Sequence, residues 1–280
     1  MTERYSVRLA APALPVAADR PIVFHGVNKS GSLAMERVLR EAYYTQSRAH
    51  EFFSHYSGVP KHLDTMAEIM RHSSGPRCFV GHYIYQAFDL PADALLVSQV
   101  RHPVPRMLSV YGWLVRNDER KHGKGGGIPD FETWLRGSKG RRHTQMSQFA
   151  LGFAPDYKRK LTTISANDLA DRAIERLERD FAWIGVAEYF EESIFAMAHI
   201  CGLDSVAPWE KDMRNVWRQP LKEVDTTMLD LIESTMTHEL RFYRYAVDLF
   251  RKRIAEIDFG PELGDYRLRC EAAYGDRILV

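Results

Sequence analysis

The sequence predicts an α/β fold in which buried strands alternate with amphipathic helices. Three apolar runs of strand length, at 21–27, 77–85 and 94–100, are rich in β-branched and aromatic residues. The first and third runs each lead into a segment whose apolar residues recur at three and four positions, as on one face of a helix. Strands and helices in alternation are typical of a parallel sheet covered by helices. We therefore expect a central parallel β-sheet flanked by helices, with extra helices towards the carboxyl end.

The composition fits a single domain. At 280 residues and 45% hydrophobic content, the chain can bury a full core without disulfides or a metal. Its three cysteines are odd in number and far apart, which favours a reducing compartment and predicts no metal site. No apolar stretch approaches the roughly 18 residues of a membrane span, and the proline-interrupted N-terminus does not match a signal peptide. We expect one soluble, cytoplasmic domain over 1–280, with no integral membrane segment.

Charge is distributed unevenly along the chain. The formal net charge is only +1, which argues against a protein that coats nucleic acid. Residues 101–160, however, hold 13 Lys and Arg against 5 Asp and Glu. We expect this stretch to face something anionic.

The connection after the first strand has the composition of an anion-binding loop. It reads Asn28-Lys29-Ser30-Gly31-Ser32. Gly31 permits a tight turn, Ser32 suits the N-cap position, and the first N–H groups of a helix have no intrahelical acceptors. Lys29 adds a positive charge. The sequence therefore predicts a phosphate site at the start of a helix whose apolar face is formed by Met35, Val38, Leu39 and Ala42.

The second apolar run, from Arg77 to Tyr85, carries His82 in its middle. From the spacing alone we interpret His82 as a core imidazole with both nitrogens hydrogen-bonded, and a functional histidine is the alternative. The histidines at 50 and 55 are five apart, which is not the spacing of two metal ligands on one helix face. No metal site is predicted.

The third run leads into Arg101-His102-Pro103 and a second helical pattern. Pro103 suits the first position of a helix. Arg106 and Ser109, three residues apart, lie together on the face away from the apolar stripe. Arg101, Arg106 and Ser109 could therefore surround a second phosphate, although isolated arginines are more often salt-bridged or solvated.

The remaining segments are interpreted mainly as structural. Arg116 to Gly127 is charged and rich in glycine, which predicts a mobile loop, either a lid or a solvated excursion. The basic and aromatic connection 211–218 could clamp a purine, whereas Trp209 and Trp217 are more often core anchors. Five further helices are expected: at 130–135, from an N-cap at Asn167 to 181, at 191–201 closed by Gly202, from Asp225 to 236, and at 238–257. We also expect a short strand or turn at 183–190 and a mixed tail after residue 260.

The order of residues in the first loop distinguishes it from the triphosphate motif. A Walker loop has Gly-x-x-x-x-Gly-Lys-Ser/Thr, whereas here Lys29 precedes Gly31. Such a loop offers N–H groups, hydroxyls and one cation to a compact phosphate without arranging a metal. With a second anion site at Arg101 and Ser109, the ligand would be a nucleotide with phosphates at two separate positions.

These segments resemble a known family. Lys29-Ser30-Gly31-Ser32 after a strand resembles the 5′-phosphosulfate loop of sulfotransferases that use 3′-phosphoadenosine 5′-phosphosulfate (PAPS). The segment from Arg101 to Tyr111 resembles their 3′-phosphate motif, Arg-x-Pro-x-x-Arg-x-x-Ser-x-Tyr. Gly81-His82 and Tyr243 resemble the branch that includes heparan sulfate 2-O-sulfotransferase. The resemblance covers about 20–255 and implies a central parallel sheet of P-loop type.

By position, the resemblance implies a role for each site residue. Lys29 would contact the leaving phosphate and the sulfuryl group, and His82 would be the general base, a role that suits an imidazole titrating near neutrality. Arg101 and Ser109 would hold the 3′-phosphate. The 5′-phosphate would be bound by Ser30, Gly31, Ser32 and Leu33, and the adenine by Lys211, Arg214 and Asn215.

Four positions depart from the family pattern. Asn28 stands where the family usually has Pro, and Leu33 where a Thr or Ser commonly adds a phosphate contact. His102 replaces the usual Asp or Asn, and Pro105 replaces an acidic residue. We therefore expect fewer hydroxyl contacts in the first loop and an unusual start to the second helix.

The resemblance implies a PAPS-dependent sulfotransferase that needs no metal and releases 3′-phosphoadenosine 5′-phosphate (PAP). The basic stretch after Arg116 would suit an acceptor hydroxyl on a carbohydrate or polysaccharide precursor. Two alternatives remain open. The first is a nucleotide or small-molecule kinase that uses ATP and Mg²⁺, and the second is a protein that binds the nucleotide without catalysis. The oligomeric state has no signature in the sequence.

Overall fold

A parallel sheet of five strands, in the order β3-β4-β2-β5-β6, forms the centre of the fold. The structure, a computed structural model, describes residues 7–8, 20–45, 49–55, 68, 77–82, 90–123, 127–137, 144–152, 157–203, 205–206 and 226–274. The five strands of the central sheet are β2 (Ile22–Gly26), β3 (Phe52–His55), β4 (Cys78–His82), β5 (Leu95–Val100) and β6 (Trp183–Val186). A separate antiparallel pair consists of β1 (Val7–Arg8) and β7 (Ser205–Val206).

Helices surround this sheet. They are α1 (Ser32–Thr45), α2 (Pro103–His122), α3 (Phe131–Arg136), α4 (Gln145–Leu151), α5 (Tyr157–Thr163), α6 (Ala166–Asp180), α7 (Phe190–Ile200), α8 (Thr226–Thr235), α9 (Thr237–Ile254) and α10 (Glu262–Tyr274). The predicted α/β class, with a parallel central sheet, flanking helices and extra helices towards the carboxyl end, is confirmed. Within the described ranges, no helix is long and apolar enough to cross a membrane.

The central strands are buried on both faces. Every residue of β2 and β5 is buried, which is the pattern of a parallel sheet covered on both sides. In the register of β2 with β4, Gly26 lies opposite His82, and β5 pairs along the other side of β2. The carboxyl ends of these three neighbouring strands therefore lie at one edge of the sheet, where open α/β sheets bind their ligands.

The first helix packs as its periodicity predicts. The residues predicted to form its apolar face are all at most 2% exposed, and they are Met35, Val38, Leu39 and Ala42. Gly31 O accepts hydrogen bonds from the N–H groups of Ala34 (3.0 Å) and Met35 (3.1 Å), so Gly31 takes the capping position predicted for Ser32. Ser32 is instead the first helical residue.

The predicted mobile loop at 116–127 is wrong for residues 116–122. The helix α2 continues to His122 and ends at Gly123, whose N–H donates to Glu119 O at 2.9 Å. Charged residues are good helix formers, and the basic residues of the last turn face the negative end of the helix dipole. Asp118 and His122, one turn apart, are paired at 4.0 Å. Residues 124–126 lie outside the described residues.

Two other predictions need correction. The N-cap of α6 is Ser165, whose hydroxyl accepts from Asp168 N at 3.0 Å, and not Asn167. The mixed tail is also wrong for residues 262–274, which form α10. This helix buries Tyr266 and Cys270, one turn apart, and the Tyr266 ring lies 4.8 Å from that of Phe195. The sequence patterns did not predict β1, β3, β7, α4 or α5.

The strand and helix predictions for 21–27, 94–100, 130–135, 191–201 and 238–257 are confirmed to within a few residues. Of the short strand or turn predicted at 183–190, the strand β6 covers 183–186. The predicted strand 77–85 is described only to His82, which is therefore its last described residue rather than its middle. The proposed N-cap Asp225 and the tryptophans at 209 and 217 lie outside the described residues.

The buried His25 of β2 predicts a specific loss of stability in acid. Burial, with a smaller contribution from the charge of the nearby His82, lowers the pKa of His25 from 6.5 to about 3. The unfolded chain therefore binds more protons than the folded chain between pH 6.5 and about 3, so the free energy of unfolding should fall as the pH falls through that window. Denaturant titrations at pH 7 and pH 5 should show a smaller fall for His25→Phe than for the native chain. His122→Gln, an exposed control, should follow the native chain. An unchanged pH dependence in His25→Phe would contradict the prediction.

Candidate functional site

Three of the predicted site residues lie at the carboxyl edge of the central sheet. Lys29 follows β2, His82 ends β4, and Arg101 follows β5. Because β2 lies between β4 and β5, the three segments are neighbours. In the sheet, β4 and β5 lie on opposite sides of β2. This arrangement brings together residues that are up to 72 positions apart in the sequence.

The loop after β2 folds tightly on itself. The N–H and the hydroxyl of Ser30 both donate to Val27 O, at 3.3 and 2.8 Å, and Ser30 is fully buried. Lys29 and Gly31 have φ angles of +64° and +92°, in the region that L-residues rarely adopt. The loop therefore holds a strained backbone at the start of α1, as is common at ligand sites. Leu33, in the first turn of α1, is 45% exposed.

Lys29 projects towards the middle of α2. Its Nζ lies 5.4 Å from the ring centroid of Trp113, within the range of a cation–π contact. Burial lowers the pKa of Lys29, and the charge of Arg116, three residues beyond Trp113, lowers it further. Trp113 itself is 42% exposed. Trp113 was not predicted as a site residue. It lies on the helix that follows the second predicted phosphate segment, and an aromatic residue there could have suggested it.

Arg101 joins the two predicted phosphate segments. Its guanidinium Nη1 donates to Lys29 O at 3.2 Å. Its backbone is held by Gln145 of α4, which accepts from Arg101 N and donates to Arg101 O, both at 2.8 Å. Gln145 was not predicted as a site residue, since nothing in its sequence neighbourhood marks it.

His82 is held against the strand that leads into the loop. Its Nδ1 lies 2.6 Å from Gly26 O, and because a carbonyl can only accept, Nδ1 carries the proton. The other ring nitrogen, Nε2, therefore keeps the lone pair. This close approach requires glycine at 26, where a Cβ would lie 3.0 Å from Nδ1.

The expectation that His82 titrates near neutrality is not met. Burial, against the opposing hydrogen bond to Gly26 and together with the charges of Lys29 and Arg106, lowers the pKa of His82 from 6.5 to about 4. At pH 7 the imidazole is neutral, so it can accept a proton, but in this environment it is a weak base.

The second helix begins with an unusual cap. His102 Nδ1 accepts from Val104 N at 3.3 Å, so the imidazole fills the role of the usual Asp or Asn, and Pro103 is the first helical residue, as predicted. The His102 N–H donates to Glu188 at 3.0 Å, and Tyr243 donates to the other oxygen of the same carboxylate, also at 3.0 Å. The rings of His102 and Tyr243 meet edge to face at 5.1 Å.

The other predicted site residues divide into two groups. Arg106 and Ser109 were predicted to lie away from the apolar stripe of their helix, but both are buried. The guanidinium of Arg106 lies 3.9 Å from the carboxylate of Glu239. Lys211, Arg214 and Asn215 lie outside the described residues. Among the residues that the structure describes, no group of three or more His, Cys, Asp or Glu could hold a metal ion.

No protein-family model matches the chain, and no curated protein matches it significantly. The fold and the site alone define the class: an α/β protein with a parallel central sheet and a basic site at the carboxyl ends of its strands.

The loop geometry predicts that Gly31→Ala damages the site. A Cβ at Gly31 would lie 3.2 Å from Gln99 Nε2, and φ is +92°. We expect a loss of about 1–3 kcal/mol in the free energy of unfolding, from backbone strain of that order, measured by denaturant titration. Gly112→Ala is the matched control, because a Cβ there meets nothing within 4 Å, and it should be neutral or stabilising. Equal stabilities for the two variants would contradict the prediction.

Proposed function

We propose that this protein is a PAPS-dependent sulfotransferase with a P-loop-type fold. The observation that carries the proposal is the contact between the two phosphate segments, in which Arg101 Nη1 donates to Lys29 O at 3.2 Å. His82 lies on the strand beside them, close enough for Lys29 to lower its pKa. One edge of the sheet thus carries candidate residues for binding both phosphate groups of one nucleotide. It also carries a lysine that could contact the transferring group and a histidine that could act as the base.

The residues present fit the donor substrate. The N-terminal N–H groups of α1 and the charge of Lys29 suit the 5′-phosphosulfate, with Ser30, Gly31, Ser32 and Leu33 lining the loop. Arg101 and Ser109 suit the 3′-phosphate. The charge of Arg116 already lowers the pKa of Lys29, so an anion bound between them would relieve their repulsion. Binding of an anion should therefore stabilise this group of cations.

In the proposed reaction, PAPS supplies an activated sulfuryl group. His82 Nε2 accepts the proton of the acceptor hydroxyl as its oxygen forms a bond to sulfur. The bond between sulfur and the bridging phosphate oxygen breaks, and that oxygen leaves with the electron pair as part of PAP. Lys29 and the N-terminus of α1 stabilise the charge that develops on the leaving oxygen. An anion beside Lys29 would also offset one cause of the low pKa of His82 and strengthen it as a base.

The acceptor is proposed to be a saccharide hydroxyl. Trp113 offers an exposed aromatic surface beside Lys29, and the last two turns of α2 carry Arg116, Arg120 and Lys121. A sugar that bears negative charge would suit this combination of an aromatic face and cations.

A second candidate function is nucleotide binding without catalysis. The observation that favours it is the pKa of His82, which burial lowers to about 4. In that case the site would hold the nucleotide, and no acceptor would be sulfated.

Nucleotide preference tests the proposal first. We expect saturating PAP to raise the unfolding midpoint of the native protein, and ATP with Mg²⁺ not to, because the site is built for a 3′-phosphate and not for a triphosphate. Arg101→Ala should lose most of the PAP effect, and the control Arg172→Ala, an exposed residue of α6, should keep it. Thermal-shift titrations measure both. Stabilisation by ATP and Mg²⁺ alone would favour a kinase and contradict the proposed sulfotransferase function.

The role of His82 is tested separately from binding. His82→Asn keeps an amide that can donate to Gly26 O but removes the base. With an acceptor found by screening saccharides against radiolabelled PAPS, we expect turnover to fall about 10²–10⁴-fold while PAP affinity changes little.

The control for this variant is His122→Asn, an exposed histidine of α2, which should keep both quantities. Equal losses of turnover and affinity in His82→Asn would count against its role as a base. Failure to sulfate any acceptor, with PAP binding intact, would favour the non-catalytic alternative.

A further inference from the structure

Gln145 extends the hydrogen bonding of the sheet by one residue past β5. It is the first residue of α4 and is fully buried. Its Oε1 accepts from Arg101 N and its Nε2 donates to Arg101 O, both at 2.8 Å. One carboxamide thus satisfies both backbone groups of Arg101, as a neighbouring strand would. The backbone from which the Arg101 side chain projects is therefore fixed by a residue 44 positions away.

Glu239 holds Gln145 in turn. It lies in the first turn of α9 and is fully buried. One carboxylate oxygen accepts from Gln145 N at 2.7 Å and from Gln145 Nε2 at 3.3 Å, and the other accepts from Met146 N at 3.0 Å. The carboxylate therefore caps the N-terminus of α4 and orients the carboxamide that pairs with Arg101.

A buried carboxylate is a costly way to join two helices. Burial raises the pKa of Glu239, while Arg106, whose Nη1 lies 3.9 Å away, and the three N–H donors from residues 145 and 146 oppose that effect. An apolar contact between α4 and α9 would often be as stable as a buried ion pair, or more so. Packing alone therefore does not explain why a charge occupies this position.

The same face of α9 also controls the next residue of the second phosphate segment. Tyr243 lies one turn after Glu239 and, through Glu188, holds the backbone N–H of His102. Two consecutive residues after β5 are thus each fixed by a bridging side chain that α9 orients. Arg101 then reaches the first loop by its bond to Lys29 O.

We infer that Gln145 and Glu239 are positioning residues that set the orientation of Arg101 for recognition of a nucleotide 3′-phosphate, an inference that rests on the proposed function. They act through the Arg101 backbone. The phosphate oxygens are contacted by the Arg101 guanidinium.

The inference is tested by comparing two nucleotides. PAP carries the 3′-phosphate, whereas adenosine 5′-monophosphate (AMP) lacks it. Gln145→Met keeps the side-chain length and removes both hydrogen bonds. By calorimetry we expect this variant to lose about tenfold or more in PAP affinity, the size of one lost hydrogen bond to a charged group, while AMP affinity changes less than about twofold. In the Arg101→Ala background, Gln145→Met should cost PAP binding nothing further.

Glu239→Gln provides a second variant. It keeps the shape and removes the charge, so one N–H of Gln145 or Met146 faces an amide donor instead of an acceptor. We expect the same loss of preference for PAP over AMP. Asp171→Asn is the matched control, because it removes the carboxylate that pairs with Arg241 of α9 at 2.6 Å and has no link to Arg101. That control should keep the native preference.

Each outcome bears on the inference. If Gln145→Met weakens PAP and AMP equally, or weakens neither, the positioning role is overturned while the proposed function stands. If the losses of Gln145→Met and Arg101→Ala add, the two residues act independently, and the role is again overturned. If the native protein does not prefer PAP to AMP, the proposed function itself fails, and the inference fails with it.

Discussion

The parallel pairing of β2 with β4 and β5 is the constraint on which the candidate site depends. It brings three strand ends to one edge and leaves their last backbone groups in need of partners. Side chains of the site supply those partners. His82 takes Gly26 O, and Gln145 takes both backbone groups of Arg101. His82, a candidate base, and Gln145, which supports Arg101, thus complete the hydrogen bonding of the sheet, and these bonds fix the positions of His82 and of the Arg101 backbone.

Electrostatic repulsion is the second shared property of the site. The charge of Arg116 lowers the pKa of Lys29, and the charges of Lys29 and Arg106 lower that of His82. The buried carboxylate of Glu239 faces Arg106 and the start of α4. Folding therefore concentrates positive charge around the first loop. A bound anion would lower this cost, so ligand binding and the protonation of His82 are coupled.

Much of the central sheet could be predicted because its signals are local. The runs that form β2 and β5, the periodicity of α1 and Pro103 at the start of α2 each lie within a few residues. Local composition gave a wrong prediction at 116–122, where a run of charged residues was interpreted as a loop. In the structure, charges of both signs at helical spacing, with basic residues last, extend α2 to His122.

The supporting part of the site could not be predicted in this way. Gln145 and Glu239 are 94 residues apart and meet only after the sheet and α9 are packed together. The prediction that His82 lies on a strand is correct, but its pKa depends on burial and on two cations from other segments, which no local pattern contains. Sequence motifs indicated the groups that are proposed to face a ligand. The groups that hold them in place belong to the tertiary structure.

The histidine at 102 is compatible with the neighbouring carboxylate of Glu188. A carboxylate at 102 could cap α2, but it would lie beside the Glu188 carboxylate that accepts from the His102 N–H. Two neighbouring carboxylates would repel each other, and this repulsion would raise the pKa of one of them. An imidazole avoids this, because Nδ1 accepts from Val104 N while the ring edge packs against Tyr243. His102 and Glu188 are thus best understood as one arrangement, in which the helix keeps its cap and the backbone after β5 gains a second anchor.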